Sequence, residues 1–319
     1  MAGVDWSAEE RGAATAAGSG LEQFFAGERI MLCDGAMGTI LQGRGIAFDR
    51  CCDEVNLAQP ETVASIHAEY LRAGAEIIET NTFGANASRL ERCGLGDKVR
   101  EINCAGVRIA RQCIREVAVE AYVAGTIGPP GVRLEGQADL DRARAAFAEQ
   151  IGPLAEGGPG VGADLLLLET IMSLTEAGEA IRAAREVAPG LRRVAMVTVG
   201  EDGNCLDGAS PEAAAARLTE WGADAVGCNC SGGPATVLRA IERMRGATHL
   251  PLAAMPNAGL PQFVDGRAIY AVSSEEMAGY ARRFIEAGAG LIGGCCGTTP
   301  EHTRAMKSAL RDVSFGKSR

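Results

Sequence analysis

The 319-residue sequence predicts an α/β protein with one domain, a (β/α)8 barrel. Three observations lead to this fold class. About eight short apolar runs of strand length alternate with segments of helix length. The runs are continuous rather than alternating, which is typical of parallel strands covered on both faces. Polar residues and cysteines stand at the ends of these runs, and no linker divides the chain.

Four of the runs share one pattern, in which a helix-like segment is followed by a glycine and then by a short stretch of apolar residues. A glycine just past the C-cap ends a helix because it adopts a left-handed backbone without strain, and a short buried strand is expected directly afterwards. The four segments are AGAEIIETNTF from residue 73, VGADLLLLET from 161, WGADAVGCNCS from 221 and AGAGLIGGCCGT from 287.

The other four strands are predicted in RIMLCDG, AYVAGTIGP, RVAMVTV and LPLAAMPN. Several intervening helices carry start signals in which a capping-type residue precedes proline or serine: Gln59 with Pro60, Ser210 with Pro211, Ser273 with Ser274, and Thr299 with Pro300. Apolar residues keep helical spacing from Val63 to Leu71, which predicts one buried face on that helix.

Composition argues against several classes of function. A formal net charge of −10 disfavours binding to nucleic acid or to an anionic membrane, because both require clustered lysine and arginine. No apolar run approaches the roughly 18 residues of a membrane span. Residues 1–20 lack the features of a signal peptide and are expected to form a flexible tail before a barrel over residues 21–319. A cytoplasmic location is therefore expected.

The chain has 11 cysteines, which are not expected to form a disulfide framework in a reducing compartment. GCNCS ends the sixth predicted strand and GGCC ends the eighth, and the strand exits of a barrel meet on one face. Three thiolates from these two exits suit a catalytic zinc site, which leaves its fourth position open. Burial in the core is the alternative, since free cysteine is among the most buried residue types. Spacing alone leaves both interpretations open.

Five separated motifs resemble the homocysteine S-methyltransferase family. They are CDGAMGT, IIETNTFGAN, GCNCS, PNAGLP and GGCCGTTPEH, and the similarity extends from about residue 28 to about residue 310. Within the family, the resemblance is closest to the homocysteine-binding module of cobalamin-dependent methionine synthase. The resemblance implies a (β/α)8 barrel with bound Zn²⁺ and an enzyme that methylates homocysteine to methionine.

The resemblance also implies roles for individual residues. Cys230, Cys295 and Cys296 correspond to the zinc ligands, whereas Cys228 does not. The zinc-bound substrate thiolate is then the nucleophile, with no separate protein nucleophile. Asn257, at the exit of the seventh strand, is predicted among the substrate-binding residues, with its neutral oxygen near the metal when no thiol is bound. The implied substrate contacts all follow strands: Asp34, Gly35, Thr80, Thr82, Phe83 and Glu169.

The methyl donor is left open by the sequence. Betaine is disfavoured, because Gly84 and Thr170 occupy positions where the betaine-using branch carries tyrosines that surround a quaternary ammonium. The resemblance favours a methylcorrinoid (methylcobalamin) supplied by a separate corrinoid protein, with S-methylmethionine or S-adenosylmethionine as the alternative donor. Two further alternatives are a different thiol or selenol acceptor, and a zinc-dependent thiol-binding module without activity. The oligomeric state and any role of Cys51 and Cys52 at the entrance also stay open.

Overall fold

Eight parallel strands form a closed barrel at the centre of the protein, in a computed structural model that describes residues 19–47, 50–132, 134–264 and 267–311. The barrel strands are β1 (Met31–Leu32), β2 (Ile77–Glu79), β3 (Tyr122–Ile127), β4 (Leu165–Ile171), β5 (Arg192–Val197), β6 (Ala225–Cys230), β7 (Leu252–Pro256) and β10 (Ala289–Ile292). Their order around the sheet is β1-β10-β7-β6-β5-β4-β3-β2. A parallel bridge between Cys33 and Ile77 joins the two ends. The predicted TIM barrel, with all eight predicted strands, is confirmed.

One long helix follows each barrel strand and packs on the outside of the barrel. These helices are α4 (Pro60–Ala73), α6 (Val99–Val117), α7 (Gln137–Ala155), α8 (Leu174–Val187), α9 (Pro211–Trp221), α10 (Pro234–Arg245), α11 (Ser274–Glu286) and α12 (Pro300–Leu310). Four shorter helices lie before β1 or between a barrel strand and its long helix: α1 (Gly20–Phe25), α2 (Gly38–Gly43), α3 (Val55–Ala58) and α5 (Ala87–Leu90). Among the described residues, no helix is both long and apolar enough to cross a bilayer.

The helix ends follow the predicted signals, with one exception. Ser210 and Ser273 each accept a hydrogen bond from a backbone N–H of the helix that follows, and α4 begins at Pro60. Gly74 and Gly222 end their helices with φ values of 107° and 98°, the left-handed conformation that glycine adopts freely. The prediction for Gly162 is wrong, because α7 already ends at Ala155 and a loop separates it from β4.

The core has two layers, which explains the unbroken apolar runs. In β4, Leu165 and Leu167 belong to the cluster inside the barrel, whereas Leu166 and Leu168 belong to the cluster between the strands and the helices. All four are fully buried, so both faces of the strand are apolar. Phe24 of α1 is also fully buried and packs in the inner cluster.

An antiparallel hairpin, not predicted from the sequence, lies between β7 and α11. It consists of β8 (Gln262–Val264) and β9 (Arg267–Ile269) and stands outside the barrel sheet. Of the predicted N-terminal tail, residues 1–18 lie outside the described residues, and Gly20 begins α1 with Ser19 as its cap.

Candidate metal centre and substrate cleft

A cleft of about 570 Å³ opens where the barrel strands end. Parallel strands of a barrel place their carboxyl ends on the same face, so residues far apart in the sequence meet there. Seven of the predicted site residues line the cleft: Gly35, Thr80, Phe83, Glu169, Cys230, Cys295 and Cys296.

Three cysteine thiols meet in this cleft. One sulfur atom from each of Cys230, Cys295 and Cys296 lies within 4.8 Å of the other two, and none of the three forms a disulfide. Two backbone hydrogen bonds tie Cys295 and Cys296 to the end of β7. Cys295 N donates to Pro256 O at 2.8 Å, and Ala258 N donates to Cys296 O at 2.9 Å. Zn–S bonds of about 2.3 Å in a tetrahedron require sulfurs roughly 3.8 Å apart, so these three thiols can share one ion after small adjustments.

The backbone at the end of β6 explains why Cys230 faces the cleft and Cys228 does not. Alternation along a strand would direct both side chains to the same face. Cys228 is fully buried in the outer core cluster. Cys230 and Ser231 have left-handed φ values of 56° and 62°, which break the alternation and turn the Cys230 thiol into the cleft. Ser231 holds the turn, since its hydroxyl accepts from Val199 N and donates to the carbonyl of Asn229.

The charge on the three thiols depends on their mutual hydrogen bonds. Cys295 and then Cys296 hold the pKa of Cys230 well below its usual value by hydrogen bonding to it, and Cys230 in turn raises the pKa of both neighbours. These hydrogen bonds therefore favour the thiolate form of Cys230 over that of its two neighbours. A divalent ion would favour the loss of the remaining protons, because each coordinating thiol is deprotonated on binding.

The side chain of Asn257 lies beside Cys230. Its Nδ2 donates to the Ser231 carbonyl at 3.0 Å. Its Oδ1 atom is buried and has no hydrogen-bond partner among the described residues. Three soft thiols with one unsatisfied amide oxygen beside them fit a zinc ion better than a hard cation such as Mg²⁺.

Three carboxyl groups lie next to the thiols, at the exits of β1, β2 and β4. Asp34 Oδ2 accepts from Glu79 N at 3.1 Å, and Glu169 Oε2 accepts from Asn229 Nδ2 at 2.8 Å. Thr126 Oγ1 donates to Glu79 Oε2 at 3.4 Å. None of the three carboxyls has a basic partner within ion-pair distance among the described residues.

The three carboxyl groups do not all carry a charge. Burial raises the pKa of Asp34 from 3.8 to about 8. Burial also raises the pKa of Glu169 to about 8, with further increases from the charges of Cys230 and Asp34. The pKa of Glu79 rises well above its usual value through burial and then through Glu169 and Asp34. A cation placed among these groups would let them ionise, so the cluster is suited to an ammonium group.

Gly35 forms a bare stretch of backbone beside the carboxyls. A Cβ atom at this position would collide with Thr298 Oγ1 and would lie 3.0 Å from the Tyr70 hydroxyl oxygen. The Tyr70 hydroxyl donates to Ala36 O at 2.9 Å and fixes the loop. Glycine avoids these collisions, and Gly35 itself lines the cleft.

Asp34, Asn257 and Thr82 are predicted site residues that do not themselves line the cleft. Of these, Thr82 faces the neighbouring strand. It is fully buried, and its hydroxyl donates to Thr126 O at 2.8 Å and lies 2.6 Å from Thr80 Oγ1. These bonds join the exit of β2 to β3, so Thr82 supports the loop from behind. Thr80 and Phe83 on either side line the cleft.

Two polar residues of the site were missed by sequence reasoning. Glu79 stands in the sequence IIET, which repeats the apolar-Glu-Thr pattern of LLLLET around Glu169, and this repeat could have identified it. Asn229 lies inside GCNCS, between Cys228 and Cys230, and no feature of the sequence distinguishes it.

The hairpin and the residue that follows it supply aromatic side chains to the wall of the cleft. Phe263 and Tyr270 line the cleft together with Phe83. The Tyr270 ring packs directly on Gly297, where any Cβ would collide with it, and its hydroxyl contacts Cys296. Burial, with the nearby thiols, raises the pKa of Tyr270 to about 12, so the hydroxyl stays protonated and able to donate.

Comparisons with known proteins agree with this geometry. The sequence matches the family described as homocysteine S-methyltransferase over residues 31–310. It is 35% identical to the methionine synthase of Mycobacterium leprae over 305 residues and 34% identical to that of Mycobacterium tuberculosis over 302 residues. These alignments cover 91% and 90% of this chain but only 25% of either relative, so the chain spans about a quarter of their length.

Solved structures give the same result for the barrel. The homocysteine methyltransferase MmuM from Escherichia coli, in its metallated form, superposes with a TM-score of 0.76 at 26% identity. The match covers 91% of this chain and 99% of MmuM, and the apo form superposes with a TM-score of 0.70. From the sequence match, the barrel and the relatives together, the chain belongs to the homocysteine S-methyltransferase family.

Proposed function

We propose that this chain is a zinc-dependent S-methyltransferase that binds homocysteine through its thiol and methylates it to methionine. The observation that carries the proposal is the position of three thiols within 4.8 Å of one another, in a cleft that Glu79 and Glu169 also line. The buried carboxyl of Asp34 accepts a hydrogen bond from Glu79 N. A thiol-binding end and an ammonium-binding end in one cleft match the two ends of homocysteine.

Cys230, Cys295 and Cys296 would hold the zinc ion, with Asn257 Oδ1 as a neutral oxygen beside them. Zinc bound there would supply a Lewis acid that keeps the substrate thiol deprotonated near neutral pH. Cys228 would take no part, because it lies in the outer core.

Asp34, Glu79 and Glu169 would hold the substrate ammonium group. The arrival of a cation lowers the pKa of each carboxyl, and the resulting charge-assisted hydrogen bonds fix the amino acid in one orientation. The peptide group of Gly35 would face the substrate carboxylate. Thr80 would complete this side of the cleft.

The protein would then act mainly by positioning. Methyl transfer forms a bond between the substrate sulfur and the methyl carbon, while the bond to the donor breaks and the leaving group keeps its electron pair. Holding the sulfur and the methyl carbon in line accounts for a large part of such a rate enhancement. Phe83, Phe263 and Tyr270 would keep water away from the reacting atoms.

The donor proposed first is a methylcorrinoid such as methylcobalamin, carried by a separate corrinoid protein. The resemblance to the homocysteine-binding module of cobalamin-dependent methionine synthase supports it, together with the identity of 35% and 34% to two methionine synthases. S-methylmethionine or S-adenosylmethionine is the second candidate. The match to 99% of MmuM favours it, since a barrel of this size by itself is described as a homocysteine methyltransferase. The tail over residues 1–20, the barrel over 21–319 and a cytoplasmic location stay predictions.

A pair of ligands tests the proposal. Reduced, zinc-loaded protein is titrated with homocysteine and with 4-mercaptobutyrate, which lacks only the amino group, in buffers of different ionisation enthalpy. We expect both thiols to release a proton on binding and homocysteine to bind at least tenfold more tightly. Methionine formation is then followed with methylcobalamin, S-methylmethionine and S-adenosylmethionine separately. Equal affinity for the two thiols, or turnover only with another thiol or selenol, would contradict the assigned substrate.

A further inference from the structure

Arg89 is a cation in the cleft that the proposed reaction does not use. Its side chain lines the same cleft as the three thiols. Among the described residues, its guanidinium group makes no hydrogen bond or ion pair, and its Nε atom is buried without a partner. A guanidinium carries five N–H donors, and a buried donor left unsatisfied costs free energy.

The surroundings of Arg89 hold it in place without neutralising it. Its Cζ atom lies 5.1 Å from the centroid of the Phe83 ring, and its backbone N–H donates to Asn86 Oδ1 at 3.1 Å. Asp53 and Glu176 act on it electrostatically from a longer distance. Asp53 Oδ1 is already engaged by Gly84 N at 2.9 Å.

The two acidic neighbours are weak competitors for the guanidinium. Burial raises the pKa of Asp53, and it raises the pKa of Glu176 to about 7, so Glu176 is only partly ionised near neutral pH. Burial also lowers the pKa of Arg89, but from so high a value that the group stays charged. The positive charge therefore remains available to a ligand in the cleft.

If the function proposed above holds, both charged ends of homocysteine already have partners. The ammonium faces Asp34, Glu79 and Glu169, and the carboxylate faces the peptide of Gly35. We infer that Arg89, packed against Phe83, binds an anionic group of the methyl donor. Two donors supply such a group, namely the carboxylate of a sulfonium amino acid and the phosphodiester of a corrinoid nucleotide loop. A guanidinium binds either of them through paired hydrogen bonds.

Two pairs of ligands distinguish the carboxylate from the phosphodiester as the anionic group that Arg89 binds. S-methylmethionine is compared with trimethylsulfonium, which has no carboxylate, and methylcobalamin is compared with methylcobinamide, which has no nucleotide loop. Affinities are measured by calorimetry on the whole chain without homocysteine, so that no turnover occurs. The variants are Arg89→Gln and Arg89→Lys. Arg92→Gln is the control, because Arg92 bonds to Gly131 O at 3.3 Å and does not line the cleft.

We expect Arg89→Gln to weaken binding of one anionic donor about tenfold or more, the loss of a charge-assisted bidentate contact. Binding of its anion-free analogue should not change. Arg89→Lys should keep part of the affinity, and Arg92→Gln all of it. Thermal unfolding confirms that each variant is folded.

Several results would overturn the inference. The inference is wrong if Arg89→Gln loses as much affinity for each anion-free analogue as for the matching donor, or if it loses affinity for neither donor. It is also wrong if the substitution weakens binding of homocysteine instead. Failure of the proposed function looks different, because wild-type protein would then neither bind nor methylate homocysteine. The donor affinities of Arg89→Gln would still decide the role of Arg89 in that case.

Discussion

The side-chain amide of Asn229 donates a 2.8 Å hydrogen bond to Oε2 of Glu169 and thereby joins the thiol side of the cleft to the carboxyl side. The same amide accepts from Thr170 N at 2.8 Å and also contacts Thr170 Oγ1 at 2.9 Å. Asn229 is fully buried and precedes Cys230 directly, so one side chain between two barrel strands sets the position of the carboxyl relative to the sulfur.

Asn229→Ala tests this link. The change leaves Thr170 N without its acceptor and Glu169 without its donor, and we expect a loss of about 1–3 kcal/mol in the free energy of unfolding. The KM for homocysteine should rise roughly tenfold, since Glu169 is no longer held. Zinc content should stay at the wild-type value. A variant with unchanged affinity for homocysteine would show that Asn229 does not position Glu169.

Glu79→Gln tests the third carboxyl. Loss of one charge-assisted hydrogen bond should weaken homocysteine binding by about 1–3 kcal/mol, and Glu169→Gln should have an effect of the same size. Binding of 4-mercaptobutyrate provides the control, because this ligand has no ammonium group and should bind both variants as it binds wild type. If 4-mercaptobutyrate lost as much affinity as homocysteine, the carboxyls would be acting on the thiol end.

The buried carboxyls also predict how stability depends on pH. The pKa of Asp34 is about 8 in the folded protein and near 3.8 when unfolded, so between these values the folded state binds more protons. Stability of the metal-free and substrate-free protein should therefore fall as pH rises from about 4 to about 8. Asp34→Asn removes this contribution, and its stability relative to wild type should increase over the same range in denaturant titrations. A difference that is constant with pH would contradict the pKa of this group.

The left-handed backbone at Cys230 predicts a difference between two substitutions. At φ 56°, alanine pays a steric cost of roughly 1–2 kcal/mol that glycine avoids. Metal-free Cys230→Gly should therefore be more stable than metal-free Cys230→Ala, by about 1 kcal/mol after the greater chain entropy of glycine is subtracted. At Cys228, which lies within the strand, the order should be reversed. The same order at both positions would mean that the turn relaxes when the thiol is removed.

The barrel was predictable because its signals are local. The apolar run from Leu165 to Leu168 is continuous because both faces of β4 are buried. Gly74 and Gly222 adopt the left-handed backbone conformation that ends their helices. The hairpin of β8 and β9 was not predictable in the same way. Among the described residues it pairs with no barrel strand, and Phe263 is 67% exposed, so no burial pattern marks the hairpin in the sequence.

The site was predictable where a residue type is unusual and not where it is ordinary. Adjacent cysteines at a strand exit are conspicuous, and three thiols do meet in the structure. Asn229 and Arg89 are common residue types whose positions depend on contacts between distant segments. Thr82 shows that a residue in a site motif can face the neighbouring strand, where its hydroxyl donates to Thr126 O.

The metal content of reduced protein tests the central claim most directly. Zinc per chain is measured by elemental analysis for wild type, for Cys228→Ala, and for alanine variants of Cys230, Cys295 and Cys296, all purified under the same reducing conditions. The account predicts about one zinc ion per chain in wild type and Cys228→Ala, and almost none in the other three. Wild-type protein without zinc, or a loss in Cys228→Ala as large as in the other variants, would contradict it.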